Sequence, residues 1–359
     1  MKIIEIIPHL QTGGGEKFVV DLSNAFADKG HNCILVTMYD PQDNDVLRPY
    51  IQPNVTCTSL HKKAGVDFGC MLRLAALIRK EKPDIVHVHI EAIKYILWAA
   101  LSYRKCKYFA TLHSEAQREA GHGYSMYVRK FMFRFKRVTP VTISAESEIS
   151  FEQFYHFPTV TIENGCSPYK KELNSDLRKY RDNIDMLFVH AGRIHKVKNQ
   201  LMLIRAFTKL IDEGYNIRLL ILGRIADDKI YNEIKPYESE RIIYLGEQPD
   251  TRAFMSVADG FCLSSVMEGM PITVIEAFSV GCIPIVTPVG GCINMIQDGV
   301  NGYISTSVTK DAYSDAIRRC LDAKPTIRNA VKARGYDCFC KKYAIENTAN
   351  EYIRLFNSK

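Results

Sequence analysis

The chain has 359 residues, 47% hydrophobic and 24% charged, a composition that excludes a disordered or low-complexity protein and allows two full cores. Its formal net charge of +7 favours anionic partners such as a nucleotide derivative, a lipid surface or nucleic acid, but no nucleic-acid-binding signature accompanies the charge. The eleven cysteines are scattered, without a Cys-x-x-Cys pair; they read as reduced, packed thiols, and Cys338-x-Cys340 lacks completing metal ligands nearby.

The first eight residues carry Ile3, Ile4, Ile6 and Ile7 around Glu5. That run is too short and too acidic for a signal peptide and predicts a buried first strand. The longest apolar stretch, 93–101, is broken by Lys94 and falls short of the ~20 residues of a membrane span, so a cytosolic protein is expected. Strand patterns follow at 33–38, 84–89, 107–112, 138–143 and 159–162, with helices at 16–29 and 70–80 between them. A second series begins at 186–190 and continues at 218–222, 242–245, 260–263, 283–286 and 302–304. Such alternation predicts an α/β chain with two doubly wound, mostly parallel sheets. The expected domains are 1–168 and 185–340, joined by a polar linker at 169–184 and followed by a helical pattern at 341–359 carrying Tyr343, Tyr352, Leu355 and Phe356.

Glu268 and Glu276 flank a Gly269-Met270-Pro271 turn that should open a helix. The N–H groups of Met270, Ile272 and Thr273 then lie at a helix N-terminus, which suits a diphosphate. Alone, such a pair would read as a capping acid and a solvated one. Arg193 and Lys198 follow a strand and precede a helix; cations there oppose the helix dipole and call for an anion. Gly13, Gly14 and Gly15 follow the first strand and allow a phosphate close to the backbone. Position 18, three after Gly15, is Phe18, which departs from a dinucleotide-binding loop, although Asp40 at the end of the second strand keeps an NAD-dependent oxidoreductase as a minor alternative. His113 ends a strand. His87 and His89 share one strand face, where packing and hydrogen bonding are expected rather than metal, with His89 bordering an acceptor site. Asp43-Asn44-Asp45 matches an Asp-x-Asp metal pattern, but it lies in a loop and is read as incidental.

Ser265, Glu268-Gly269-x-Pro271, Glu276-Ala277, Gly281 to Pro284, Gly290-Gly291 and 298–302, with Gly192-Arg193 and Lys198, Asn164-Gly165 and the first glycine loop, resemble glycosyltransferase family 4 in order and spacing. The resemblance implies the GT-B fold, two Rossmann-like domains facing a cleft, with the last helix returning to the first domain. It implies transfer from a nucleotide sugar, first expected to be UDP-linked, to a lipid-linked or polysaccharide acceptor, with retention and without cofactor or metal. Arg193 and Lys198 would neutralise the diphosphate, Glu268 hold the donor sugar and Glu276 the ribose. His113 would lie near the anomeric carbon and acceptor, and Gly246 and Glu247 would border the base. The sequence departs from the family wording at Leu222-Gly223-Arg224, which leaves the base contact open. A GT-B-like binding protein without turnover is the other alternative.

Residues 127–138 wind with Val128, Phe131, Met132 and Phe135 on one face, expected to be core. Arg129, Lys130, Phe133, Arg134, Lys136 and Arg137 occupy the other. An exposed Phe133 among cations predicts contact with the anionic inner face of the cytoplasmic membrane, placing the enzyme there as a peripheral protein.

Overall fold

The computed structural model describes residues 1–114, 116–120, 123–169 and 175–358. They form two compact units, one of residues 1–167 and 343–359, the other of residues 168–342. Part of the expected linker, 170–174, lies outside the described residues. Its remainder is no free connector: Ser175–Arg181 is a 3-10 helix of the second unit, fixed where Arg181 donates to the Val257 carbonyl and to Asp259, each at 2.8 Å.

The first unit is built on seven parallel strands, β1 Lys2–Ile7, β2 Asn32–Thr37, β3 Thr56–Ser59, β4 Ile85–His89, β5 Lys107–Leu112, β6 Thr139–Thr142 and β7 Val160–Thr161. Their order is β3-β2-β1-β4-β5-β6-β7, so the winding reverses between β1 and β4. The apolar run of β1 is buried on both faces, as a sheet covered by helices requires. The sequence reading missed β3, whose Thr-Cys-Thr-Ser carries no apolar run and is only partly buried at the sheet edge. The helix Ile345–Ser358 covers this sheet with Ile345, Thr348, Ala349, Tyr352, Leu355 and Phe356, the 3.6-residue stripe of an amphipathic helix.

The second unit has β8 Met186–Ala191, β9 Ile217–Leu222, β10 Ile242–Tyr244, β11 Gly260–Leu263, β12 Ile283–Val286 and β13 Tyr303–Ile304, ordered β10-β9-β8-β11-β12-β13. Here the winding reverses between β8 and β11. Ligands in such sheets bind at the carboxyl ends of the strands beside the reversal, which singles out the turns after β1 and β4 in one unit and after β8 and β11 in the other. Among the described residues, no helix is long and apolar enough to cross a membrane.

The helix Tyr124–Arg134 corrects the expected membrane face. Arg129 is 1% exposed and Phe133 4%; both are buried. Phe133 packs edge-on against Phe151 and Tyr155, with centroids 5.4 and 5.2 Å away. Arg129 reaches Glu119 at 3.5 Å and donates to the Ile90 carbonyl at 2.9 Å. The buried face is therefore Val128, Arg129, Met132 and Phe133, and Phe131 and Phe135 are exposed. The core stripe is rotated by roughly a quarter turn from the expected one. Hydropathy assigned an arginine to solvent because the carboxylate that pairs with it stands ten residues earlier.

Candidate active site

In the second unit, the turn after β8 and the turn after β11 lock onto each other. Ser264 Oγ donates to the Lys198 carbonyl at 2.8 Å, and the Val266 N–H donates to the Val197 carbonyl at 2.9 Å. This docking brings Lys198 Nζ to 2.6 Å from Glu268 Oε1, a partly buried ion pair joined by the hydroxyl of Ser265. Two residues given separate tasks by the sequence are thus direct partners. Lys198 keeps two further N–H donors, and Glu268 its Oε2, for whatever enters between them.

Glu268 is fixed from behind by the turn after β12. Gly290 has φ +49, and a β-carbon there would fall 1.8 Å from the Glu268 carbonyl oxygen, so only glycine fits. The Gly291 N–H donates to the Gly269 carbonyl at 2.7 Å. The helix Ile272–Ser279 opens directly after Pro271; the Val274 N–H bonds back to the Pro271 carbonyl at 3.1 Å, and the Ile272 and Thr273 N–H groups lie at the helix start, ahead of the first intrahelical bonds. Glu276 sits in its second turn and is 4% exposed. Arg193 lies on the same turn as Lys198 and is exposed. After β10, the Gly246 carbonyl accepts from the Gly223 N–H at 2.7 Å, and Glu247 beside it is exposed.

A histidine that the sequence reading overlooked supports this turn. His190 in β8 is fully buried, with Nδ1 2.9 Å from the Cys262 carbonyl and Nε2 3.2 Å from Gln200 Nε2. Gln200 also donates to the Arg193 carbonyl at 2.8 Å. Burial, with the Lys198 charge adding to it, lowers the His190 pKa to about 4, so its ring is neutral.

In the first unit, His113 follows β5, the neighbour of β4, and so stands one strand beyond the reversal. Gly14 and Gly15 are already the first turn of the helix Gly14–Asp28, with Gly13 as its extended N-cap; the glycines open that helix rather than preceding it. A β-carbon on Gly15 would lie 3.3 Å from Ile90 Cδ1 and 3.4 Å from His113 Cγ, so this glycine lets the helix start approach His113. The His113 and Ser114 N–H groups both donate to Glu119, at 2.8 and 3.1 Å. Because Glu119 pairs with Arg129, and Arg129 holds the Ile90 carbonyl, one buried ion pair staples the turns after β4 and β5. Ile90 has φ +56, a strained value for a β-branched residue, held where function concentrates such strain. Burial raises the Glu119 pKa, against the pull of Arg129 and the two amides.

His89 does not border an acceptor. It is 0% exposed, with Nε2 2.7 Å from Glu5 Oε2 and Nδ1 3.0 Å from His113 Nε2. His87 is buried beside it, 3.1 Å from Glu5 and 2.7 Å from Thr111 Oγ1, which in turn meets Tyr352 OH at 2.8 Å. Glu5, noticed in the sequence only as a charge too early for a leader, is the centre of this cluster. A carboxylate inside a strand buried on both faces was the available signal, because such a group needs partners. Elsewhere in this unit, Asp45 of the Asp-x-Asp segment accepts from the Leu10 N–H at 3.3 Å and pairs with Arg48. Asp40 is engaged by Ser59 and His61.

Two doubly wound sheets, with a cation and a carboxylate converging beside a helix start in the second, define a two-domain α/β protein of the GT-B class. Residues 12–168 match the model described as Glycosyltransferase Family 4, and residues 171–337 that described as Glycosyl transferases group 1; the chain is a glycosyltransferase of the family 4 type. It is 22% identical to the N-acetyl-alpha-D-glucosaminyl L-malate synthase of Bacillus anthracis, with 98% of this chain and 96% of the relative covered. It is 23% identical, over 99% and 98%, to the GalNAc-alpha-(1->4)-GalNAc-alpha-(1->3)-diNAcBac-PP-undecaprenol alpha-1,4-N-acetyl-D-galactosaminyltransferase of Campylobacter jejuni. Among solved structures, Anabaena HepE in complex with UDP superposes with a TM-score of 0.81 at 18% identity, covering all of both chains.

Proposed function

We propose that the chain transfers a sugar from a nucleoside-diphosphate donor, UDP-linked in the first instance, to a hydroxyl of a lipid-linked or polysaccharide acceptor, with retention and without a metal. The observation that carries this reading is the Lys198–Glu268 pair beside the start of the helix Ile272–Ser279. A leaving diphosphate gains negative charge in the transition state, and a lysine with spare donors beside a helix N-terminus stabilises it where it develops. Glu268 Oε2 is suited to a donor sugar hydroxyl, Arg193 to the diphosphate, Glu276 to the ribose, and Gly246 and Glu247 to the base. In the first unit His113 would serve the acceptor side, and Gly14 and Gly15 are suited to a phosphate. The Campylobacter relative's undecaprenol-linked glycan supports a lipid-linked acceptor.

Thermal unfolding against a panel of nucleoside-diphosphate sugars in EDTA tests the donor reading. At ~100 times the dissociation constant a true donor adds about 2.7 kcal/mol of stability, and slow release of free sugar should follow. Stabilisation by NAD alone would favour the oxidoreductase. A bound donor that is never consumed would leave a binding protein, and a requirement for Mn²⁺ would end metal independence.

The membrane role belongs to the other side of the helix Tyr124–Arg134. Tyr127, Phe131 and Phe135 are 67%, 41% and 57% exposed, interleaved with the exposed Lys130, Arg134 and Lys136. At the end of this helix a cavity of about 710 Å³ is lined by Arg104, Lys107, Arg134, Lys136 and Arg137, suited to anionic headgroups. Rings between cations are what an anionic bilayer surface attracts, with about 1 kcal/mol from each nearby Lys or Arg. In vesicle co-sedimentation, binding should require anionic lipid, weaken with salt, and fall at least tenfold, a change of about 1.4 kcal/mol, in Phe131→Ser/Phe135→Ser and in Lys130→Glu/Arg134→Glu. Retention of binding by both variants would remove the membrane face.

A further inference from the structure

The hydrogen bonds behind His113 form one directional chain that reaches β1. Its ring nitrogen Nε2 meets His89 Nδ1, and His89 Nε2 meets Glu5. On a second branch, Glu5 meets His87, His87 meets Thr111, and Thr111 meets Tyr352. A neutral imidazole has one donor and one acceptor nitrogen, so the state of the carboxyl decides the direction of every bond. With Glu5 ionised, both rings donate to it. His89 Nδ1 must then accept, His113 Nε2 must donate, and His113 Nδ1 is left as an acceptor. With Glu5 protonated, a proton donated to His89 reverses that branch and turns His113 Nδ1 into a donor.

We infer that Glu5 is a positioning residue for His113: through His89 it sets which ring nitrogen of His113 carries the proton, and so presents Nδ1 as a hydrogen-bond acceptor beside Gly15. A β-carbon on Gly15 would lie 3.5 Å from that Nδ1, so the nitrogen faces the helix start rather than the sheet. The transfer reading enters only in what Nδ1 meets there, a sugar hydroxyl that donates to it. Burial lowers the pKa of His87, His89 and His113 to about 3 and keeps all three rings neutral; burial also raises that of Glu5, against the pull of the His89 hydrogen bond, so the Nδ1 acceptor belongs to the ionised carboxylate and the nitrogen spectrum reads which state is present. The titratable groups facing the chain are Cys33 on β2 and Tyr352 on the last helix, with Glu119 and Arg129 behind the His113 backbone. The same carboxylate and two imidazoles bring ligand atoms within 4.8 Å of one another, but each is already hydrogen-bonded and fully buried, which favours the relay over a cation.

Histidine-selective ¹⁵N labelling of the full chain, read by long-range proton–nitrogen correlation at pH 7.5, tests this without turnover. Wild-type His113 should show an unprotonated Nδ1 and a protonated Nε2. A proton on Nδ1, or an imidazolium, overturns the inference with no variant needed. Glu5→Gln has one acceptor oxygen for two donating rings, so His113 should lose its single tautomer, and kcat should fall about 100-fold at nearly unchanged donor KM. An unchanged tautomer with unchanged kcat in that variant also overturns it. Thr111→Val cuts only the His87 branch and should leave His113 as in wild type; a reversal there would mean that any disturbance of the cluster suffices, and Glu5 would lose its special role. Failure of wild type to use any donor would remove the transfer reading while leaving the nitrogen spectra to decide the relay.

Discussion

Replacing Lys198 by alanine should lower kcat for sugar transfer by about 10²- to 10³-fold, the loss seen when one preorganised donor to a developing oxyanion is removed. Glu268→Gln should cost a similar factor, because the amide keeps the shape but no longer holds the ammonium by charge. The 2.6 Å separation of the two groups makes them one unit, so the Lys198→Ala/Glu268→Gln pair should cost little more than either alone, the non-additivity of residues that act together. Arg193→Ala, at an exposed position on the same turn, should act mainly on donor KM. Initial rates on the donor that gives the largest thermal shift, with circular dichroism to confirm folding, supply the measurement. Fully multiplicative losses in the double variant would separate the two residues, and wild-type rates in either single variant would take that residue out of the site.

Apolar runs bounded by polar turns located twelve of the thirteen strands among the described residues, since parallel strands buried on both faces are written in continuous Val, Ile, Leu and Phe. Strand β3 lacks that signal because an edge strand need not be apolar. The convergence of Lys198 on Glu268 was not readable, because it depends on which strands are neighbours, and the β8–β11 adjacency joins segments about seventy residues apart. The packing and hydrogen bonding expected of His87 and His89 are present, but the acceptor-side placement of His89 and the solvent face given to Arg129 failed for a shared reason. Polar residues were assigned to solvent or to ligand, whereas both are satisfied inside the fold by carboxylates far away in sequence or on another element. The clue was present in Glu5 and His190, polar residues within buried strands, but their partners lie in other strands and turns that the pattern of a single segment does not name.

Acid should unfold the first unit before the second. His87, His89 and His113 have pKa values lowered by burial to about 3, and His190 to about 4, from an ordinary 6.5. A group whose folded pKa is lowered binds protons in the unfolded chain first, so its stabilisation is complete above pH 6.5 and is lost as pH falls toward the folded value. Each such histidine contributes a slope of about 1.4 kcal/mol per pH unit in that window. Glu5 and Glu119 act in the opposite sense: burial raises both, so their contribution is complete below about 4.5 and is lost as pH rises through the folded values. Across the histidine window the two carboxyls offset at most two of the three histidines of the first unit, so its slope lies between about 1.4 and about 4 kcal/mol per unit, against about 1.4 for the single histidine of the second. Domains of this size hold only about 5–15 kcal/mol, so one pH unit is a large fraction of the total. Two units need not unfold together. Hydrogen exchange of β4 and β5 peptides against β8 and β11 peptides, in steps from pH 7.5 to 5, should therefore show the first pair losing protection earlier, and calorimetry should show one transition falling by about 5–10 °C while the other moves less. Equal protection loss in both pairs, or transitions that do not move across that range, would mean that these histidines take up protons within the folded state, and the neutral cluster behind His113 would be wrong.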